Sequence, residues 1–433
     1  MSKNSKGVSG EIKIPSSITE EITRNATNLP GLQEKIRNSL GEDISKVLEI
    51  ILMGAISVDS SDIHIEPEED KVKIRMRLDG VLHDISTIEK ELYYKIVSRI
   101  KLLSRVKINI EDRPQDGRFT IWVPEEDLSI EIRMSTLPSE YGETIVMRLL
   151  DPRKLINLDQ LGLRDDLYHL FKKEIEKPNG MIIVTGPTGS GKTTTLYAFL
   201  KTINKPDIKI VTIEDPVEYH LEGISQTRAD PSKGYDFASG LRTIVRQDPD
   251  VILVGEIRDL ETGQISMQAA LTGHLVFSTL HTNDASGAIA RLQALGEKAV
   301  NIAPSINMII AQRLVRKVCK SCTKLIEAKE EELNRIKEEL KDIKEDVFSI
   351  PDTVKLPQNK GCRECGYTGY RGRAGIFEAL IIDEEVEELI LSSPSTSKIK
   401  NRAIEKGMIT MRQDGVIKVL RGETTMEEIN RVT

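Results

Sequence analysis

Residues 181–200 read Met-Ile-Ile-Val-Thr-Gly-Pro-Thr-Gly-Ser-Gly-Lys-Thr-Thr-Thr-Leu-Tyr-Ala-Phe-Leu, and this stretch decides the fold. Its centre, Gly186-Pro187-Thr188-Gly189-Ser190-Gly191-Lys192-Thr193, is a complete G-x-x-x-x-G-K-[ST] phosphate loop. The apolar run before it reads as a buried strand, and the run from Thr194 to Leu200 reads as a helix, so the loop has the strand–turn–helix setting it needs. Three glycines let backbone N–H groups turn inward around a polyphosphate. The helix that follows offers its positive end, Lys192 reaches the terminal phosphates, and Thr193 can hold Mg²⁺. The expected ligand is a nucleoside triphosphate.

Outward from the loop, strands alternate with helical stretches. Residues 181–185, 208–213, 251–254 and 275–279 are apolar and short, which predicts a mostly parallel sheet covered by helices, with ligands at the carboxyl ends of the strands. Two of these strands end in acids, one in Glu214-Asp215-Pro216 and the other in Gly255-Glu256-Ile257-Arg258-Asp259. Phosphoryl transfer needs acids that hold Mg²⁺ or water, and charge that stabilises the transferring group. Glu256 is the first choice for polarising the attacking water, with Glu214 and Asp215 in the Mg²⁺ and water network. Which of Glu256 and Glu214 is the base stays open. Arg242 and Arg246, four apart, would share one face of a helix.

Toward the amino end, Ile44, Val47, Leu48, Ile51, Leu52, Ala55 and Ile56 repeat at helical spacing, with Asp43 or Ser45 near the start. Residues 63–66 and 72–78 alternate about a charged turn and predict a hairpin. Another strand is expected after Asp79-Gly80, a helix over 91–106, and strands over 118–123, 128–134 and 144–149. Together they predict a small α+β domain over 43–150. Residues 1–42 are polar and mixed, with Pro15, Pro30 and Gly41, and read as a tail or docking arm.

The chain has 433 residues, 30% of them charged and 4% aromatic, with a net charge of -7. This acidic balance and the scarcity of stacking side chains argue against a general nucleic-acid platform. No apolar run approaches the length of about 20 residues needed to span a bilayer, and Met1-Ser2-Lys3-Asn4-Ser5-Lys6 lacks the apolar segment of a signal peptide. A cytoplasmic protein is expected, meeting the membrane only through partners.

The four cysteines are Cys319, Cys322, Cys362 and Cys365. Two C-x-x-C pairs in a reducing compartment read as a four-thiolate zinc site, structural because no ligand position stays open. Between the pairs, Leu333, Ile336, Leu340, Ile343 and Val347 predict a Lys/Glu-rich amphipathic helix.

Taken together, Thr212-Ile213-Glu214-Asp215-Pro216-Val217-Glu218, the box over 255–259, and Thr272-Gly273-His274-Leu275-Val276-Phe277-Ser278-Thr279-Leu280-His281-Thr282-Asn283-Asp284 resemble the secretion ATPase superfamily. Within it, the chain resembles the motors of type II secretion and type IV pilus assembly. The likeness runs from Ser61-Asp62-Ile63-His64-Ile65-Glu66-Pro67 to Arg412-Gln413-Asp414-Gly415. It implies a RecA-like domain over 151–433 with a zinc subdomain at 319–366, and ATP as the nucleotide. It implies a hexameric ring at the cytoplasmic face of the inner membrane, whose hydrolysis drives pilin or pseudopilin polymerisation through a membrane platform protein.

In that family the nucleotide lies between the two domains, arginines from both reach the phosphates, and a histidine box senses nucleotide state. The matching positions are Arg118, Arg133, Arg242 and Arg246, with His274 and His281. Assembly-type motors carry the cysteine pairs and retraction-type motors lack them, so assembly is expected. Many relatives carry further domains ahead of the first shared one, where this chain has about 42 residues. Two other classes share the phosphate loop: a RecA-like nucleic-acid motor or DNA-uptake translocase, and a nucleotide-sensing scaffold with negligible turnover.

Overall fold

The computed structural model describes residues 10–392 and 395–433. The first nine residues, on which the signal-peptide reading rests, lie outside the described residues. Backbone contacts divide the chain into two units. The first is Met1–Lys154 with Cys319–Thr323 and Asn359–Arg371; the second is Leu155–Val318 with Lys324–Gln358 and Gly372–Thr433.

The first unit is built on β1 (Gly10–Lys13), β2 (Asp62–Pro67), β3 (Val72–Leu78), β4 (Val81–Ile88), β5 (Gln115–Val123), β6 (Leu128–Ser139) and β7 (Gly142–Leu150), with α1 (Ser16–Asn25), α2 (Leu29–Ser39), α3 (Ile44–Ser57) and α4 (Lys90–Leu103). The strands form one sheet in the order β1-β5-β6-β7-β2-β3-β4. It is antiparallel except for the parallel β1–β5 pair. Alternation sets its faces: Val72, Ile74 and Met76 are buried while Lys73, Arg75 and Arg77 point the other way. Of the two candidate starts for α3, Asp43 is the cap, its carboxylate accepting from the Ser45 N–H at 2.8 Å.

The reading of 1–42 as a polar tail needs correction for its described part. β1 pairs with β5, and Ile12, Ile14, Ile18, Ile22, Leu32 and Ile36 are all buried in the same core as α3 and the strands. Asn28 caps α2 by accepting from the Gly31 N–H at 3.0 Å. The apolar positions recur three and four apart but are diluted by charged residues. Two short amphipathic helices, broken at residues 26–28 with Pro30 in the first turn of the second, therefore left no sustained period.

The second unit holds β8 (Gly180–Thr185), β9 (Ile210–Glu214), β10 (Ser225–Arg228), β11 (Val251–Val254), β12 (Leu275–Leu280), β13 (Ile306–Val318) and β16 (Tyr370–Ile381), in the order β10-β9-β11-β12-β8-β13-β16. From β10 to β13 every pair is parallel, as the alternation predicts. β14 (Thr323–Glu327) and β15 (Lys355–Asn359) pair separately.

Its helices are α5 (Asp165–Ile175), α6 (Lys192–Ile203), α7 (Phe237–Val245), α8 (Leu260–Leu271), α9 (Ala285–Ala294), α10 (Ala299–Ser305), α11 (Glu330–Leu340), α12 (Glu384–Leu391), α13 (Thr396–Glu405), α14 (Met411–Leu420) and α15 (Met426–Val432). Two apolar layers flank the sheet, one gathered around Ile183, Ile252 and Val276, the other around Ile182, Leu253 and Phe277. β8 is buried on both faces, as its unbroken apolar run requires. α11 stops at Leu340, short of the period that runs on to Val347, where Asp342 and Asp346 weaken the helix.

Candidate nucleotide site and cysteine centre

The phosphate loop joins β8 to α6 at the carboxyl edge of the parallel sheet. Gly186 and Gly191 have φ of 153° and 89°, in the range that favours glycine. A Cβ on Gly186 would stand 2.6 Å from the Gln312 carbonyl oxygen, and one on Gly191 would stand 2.7 Å from Gln312 Nε2. β13 therefore backs the loop so closely that neither position has room for a side chain. The Lys192 ammonium donates to the Gly186 oxygen at 2.8 Å and to the Pro187 oxygen at 3.3 Å, parked on the loop's own carbonyls. Burial pulls its pKa below the ordinary lysine value, Arg313 acts the same way and Glu256 opposes. The buried Ser190 hydroxyl has no hydrogen-bond partner among the described residues, an orphaned polar atom inside a loop shaped for phosphate. Pro187, Thr188, Gly189 and Thr193 are exposed and Thr194 is half-buried, which leaves the Thr193 hydroxyl accessible for Mg²⁺.

The acids separate into different environments. Glu214 at the end of β9 is 4% exposed. It accepts from Tyr197 Oη at 2.5 Å, Thr212 Oγ1 at 2.6 Å and Gln226 Nε2 at 3.3 Å, so both its oxygens are engaged. Burial raises its pKa against these hydrogen bonds. Asp215 beside it is exposed. Glu256, just beyond β11, pairs with Arg258 and lies 3.7 Å from His281 Nε2. Asp259 and Asp284, both inside the motifs, are engaged as helix caps, accepting from the Thr262 and Gly287 N–H groups at 2.8 Å.

His281 follows β12, which lies between β11 and β8, so it stands between Glu256 and the phosphate loop in the sheet order. Burial and the neighbouring Lys192 hold its pKa below the ordinary histidine value, with Glu256 opposing. His274 is at the other end of the same strand. In register, Leu275 pairs with Gly180 and Leu280 with Thr185, which puts His274 about 20 Å from the loop at the usual strand rise. Its Nδ1 is 2.9 Å from the Ala269 oxygen, a helix-end contact. The geometry thus gathers Lys192, Glu256 and His281 and leaves His274 outside the group.

Arg242 on α7 pairs with Glu261 in the first turn of α8, and Arg246 caps α7 and is exposed. Arg118 and Arg133 belong to the first unit, where they are cross-strand partners on β5 and β6. Arg148 on β7 is in register with Arg133, so three arginines stand abreast. Like charges directly opposite are destabilising. Asp62 answers part of this, lying 3.0 Å from Arg148 Nε and 3.4 Å from Arg77 Nε. The sequence reading missed Arg148, although positions 118, 133 and 148 are evenly spaced. It also missed Gln312 and Arg313, whose signal was a polar pair closing the apolar run Ile309-Ile310-Ala311.

The four cysteines, expected inside the 151–433 domain, group with the first unit. Their sulfurs all lie within 4.8 Å of one another, with separations of 3.9, 3.9 and 3.8 Å for the pairs 319–362, 322–365 and 362–365. A tetrahedron with Zn–S bonds of about 2.3 Å has edges of about 3.8 Å, so this donor set fits a four-thiolate zinc. The Cys362 and Gly369 N–H groups both donate to Cys365 Sγ at 3.2 Å, steadying a thiolate. A Cβ on Gly366 would meet Leu29 Cβ at 2.9 Å, so the second knuckle packs on the start of α2.

A family model described as "Type II/IV secretion system protein" matches residues 39–431. The type II secretion system protein E of Xanthomonas campestris pv. campestris is 43% identical over 403 residues, which cover 92% of this chain and 69% of that protein. The type IV pilus assembly ATPase PilB of Thermus thermophilus is 42% identical over 401 residues, 92% of this chain and 44% of its own length. Among solved structures, the pilus retraction motor PilT with bound ADP aligns over 88% of this chain and 96% of its own, with a TM-score of 0.58 and 25% identity. A family model over nine tenths of the chain and relatives above 40% identity place it: the chain belongs to the type II/IV secretion system protein family.

Proposed function

We propose that this protein is an ATP hydrolase, working as a hexamer, that drives assembly of a type IV pilus or a type II secretion pseudopilus through an inner-membrane platform protein. The observation that carries the reading is the meeting of Lys192, Glu256 and His281 at the carboxyl ends of three neighbouring strands. The names of the relatives, a secretion protein E and a pilus assembly ATPase, support the same direction.

In this proposal the loop amides and Lys192 hold the β- and γ-phosphates, Thr193 holds Mg²⁺ with help from Asp215, and Glu256 orients the attacking water. Glu214 braces the end of β9 through Tyr197 and Thr212. When bound there, Mg²⁺ would supply charge neutralisation to the phosphates. Arg118, Arg133, Arg242 and Arg246 are assigned to stabilising charge on the transferring group, a contribution worth about 10³- to 10⁵-fold where a single arginine performs it. His274 is assigned to the sensing of nucleotide state rather than to phosphate contact. A structural zinc in the four thiolates completes the cofactors. Among the described residues no helix is long and apolar enough to cross a membrane, and membrane contact is assigned to partners at the cytoplasmic face.

The test is steady-state ATP turnover by the purified chain, together with its mass with and without a slowly hydrolysed ATP analogue. Turnover is expected, with a sixfold assembly in the presence of the analogue. Neutralising Arg118, Arg133, Arg242 and Arg246 together should lower turnover by at least about 100-fold, and undiminished hydrolysis would remove them from the mechanism. Single- or double-stranded DNA should leave turnover unchanged at physiological salt; a many-fold rise would favour a nucleic-acid motor instead.

A further inference from the structure

Arg313 lies just past the point where Ala311 on β13 pairs with Thr185 on β8. Its guanidinium does not stay on its own strand. Nη2 donates to the Asn283 backbone oxygen at 3.1 Å and to Asn283 Oδ1 at 3.2 Å, while Nη1 donates to the Gln312 oxygen at 3.1 Å. Asn283 sits in the turn after β12, and in the sheet β8 separates β12 from β13. The side chain therefore crosses the carboxyl end of the strand that launches the phosphate loop. It fastens the turn on the far side.

That turn carries His281, which faces Glu256. Its second anchor is Thr185, which accepts from the Thr282 N–H at 2.8 Å and lies 2.8 Å, hydroxyl to hydroxyl, from Thr282. Gln312 beside Arg313 accepts from Thr195 Oγ1 at 2.7 Å, so this one strand end also grips the start of α6. Burial lowers the pKa of Arg313, Asp284 and Glu378 oppose, and the side chain's contacts in the turn are amide oxygens. A planar fork with several donors suits this bridging, and an ammonium on a flexible stem can reproduce only one arm of it.

We propose that Arg313 is a positioning residue for ATP hydrolysis, strapping the 281–284 turn across β8 so that His281 and Glu256 keep their places when the phosphate loop is filled. This rests on the proposed hydrolase activity. The experiment compares turnover and nucleotide affinity of the full chain, zinc-loaded, for R313A, R313K, N283A and the R313A/N283A double variant. R313A should lower kcat about tenfold with KM for ATP changed less than about threefold. N283A removes only the side-chain acceptor and should lower kcat about threefold. The double variant should match R313A alone, because the two act through one contact. R313K should recover about a third of the lost activity.

Unchanged kcat in R313A, a loss confined to KM, or multiplicative losses in the double variant would each overturn the proposal. These outcomes are distinct from failure of the hydrolase reading itself, which appears as absent turnover in the unmutated chain.

Discussion

Replacing Lys192 by alanine will abolish measurable ATP binding, whereas Glu256→Gln will keep binding and lower turnover by about 10³-fold. The first expectation follows from where the ammonium sits. It is partly desolvated, its pKa is pulled down by burial, and its present acceptors are two loop carbonyls that phosphate oxygens can replace. Removing it leaves a loop whose amides alone must offset several negative charges. The second follows from shape. Glutamine keeps the length and a hydrogen-bonding oxygen of Glu256 beside Arg258 and His281 but cannot polarise a water as a carboxylate does. Equilibrium binding of a fluorescent ATP analogue and steady-state phosphate release separate the two variants. Full turnover in Glu256→Gln would move the role to Asp215, because Glu214 is buried with both oxygens committed to Tyr197, Thr212 and Gln226.

The second large effect concerns the cysteines. Elemental analysis should find one zinc per chain after extensive dialysis, and Cys362→Ser with Cys365→Ser should abolish it. Structural zinc contributes roughly 10–16 kcal/mol of apparent binding free energy in zinc-finger peptides at neutral pH, comparable to the stability of a whole domain. Its loss should free the second knuckle from Leu29 and raise backbone amide exchange across α2, reported by hydrogen exchange. The phosphate loop belongs to the other unit and should still bind nucleotide. A full count of free thiols with no metal would overturn the zinc, and unchanged exchange in α2 would show that the packing on Leu29 does not depend on it.

The parts of the site that were legible in the sequence are those whose chemistry fixes residue types at fixed spacing. A phosphate loop cannot be written without its glycines, and an apolar strand ending in Glu214 or Glu256 announces the carboxyl edge of a parallel sheet. What sequence could not supply was the environment of each group. Glu214 and Glu256 have the same side chain and similar flanks, yet one is enclosed by hydrogen-bond donors and the other faces Arg258 and His281. His274 and His281 share a motif, but an extended strand between them puts them at opposite edges. Gln312 and Arg313 belong to no phosphate-binding pattern, because their importance comes from β13 lying next to β8, a fact of sheet order. The opening helices were missed because their apolar residues are few and are buried against α3, a partner no local window includes.

The cysteines group with the first unit although the chain on both sides of each pair belongs to the second. The polypeptide changes unit after Lys154, Val318, Thr323, Gln358 and Arg371. No single scission can therefore release either half intact: a gene fragment ending at residue 154 discards every cysteine, and one starting at 155 carries all four without the helix they pack against. Deletion mapping of this protein must treat the two halves as interwoven threads. Activity lost on trimming the amino-terminal segment would report a stranded cysteine cluster as readily as a missing surface for recruitment.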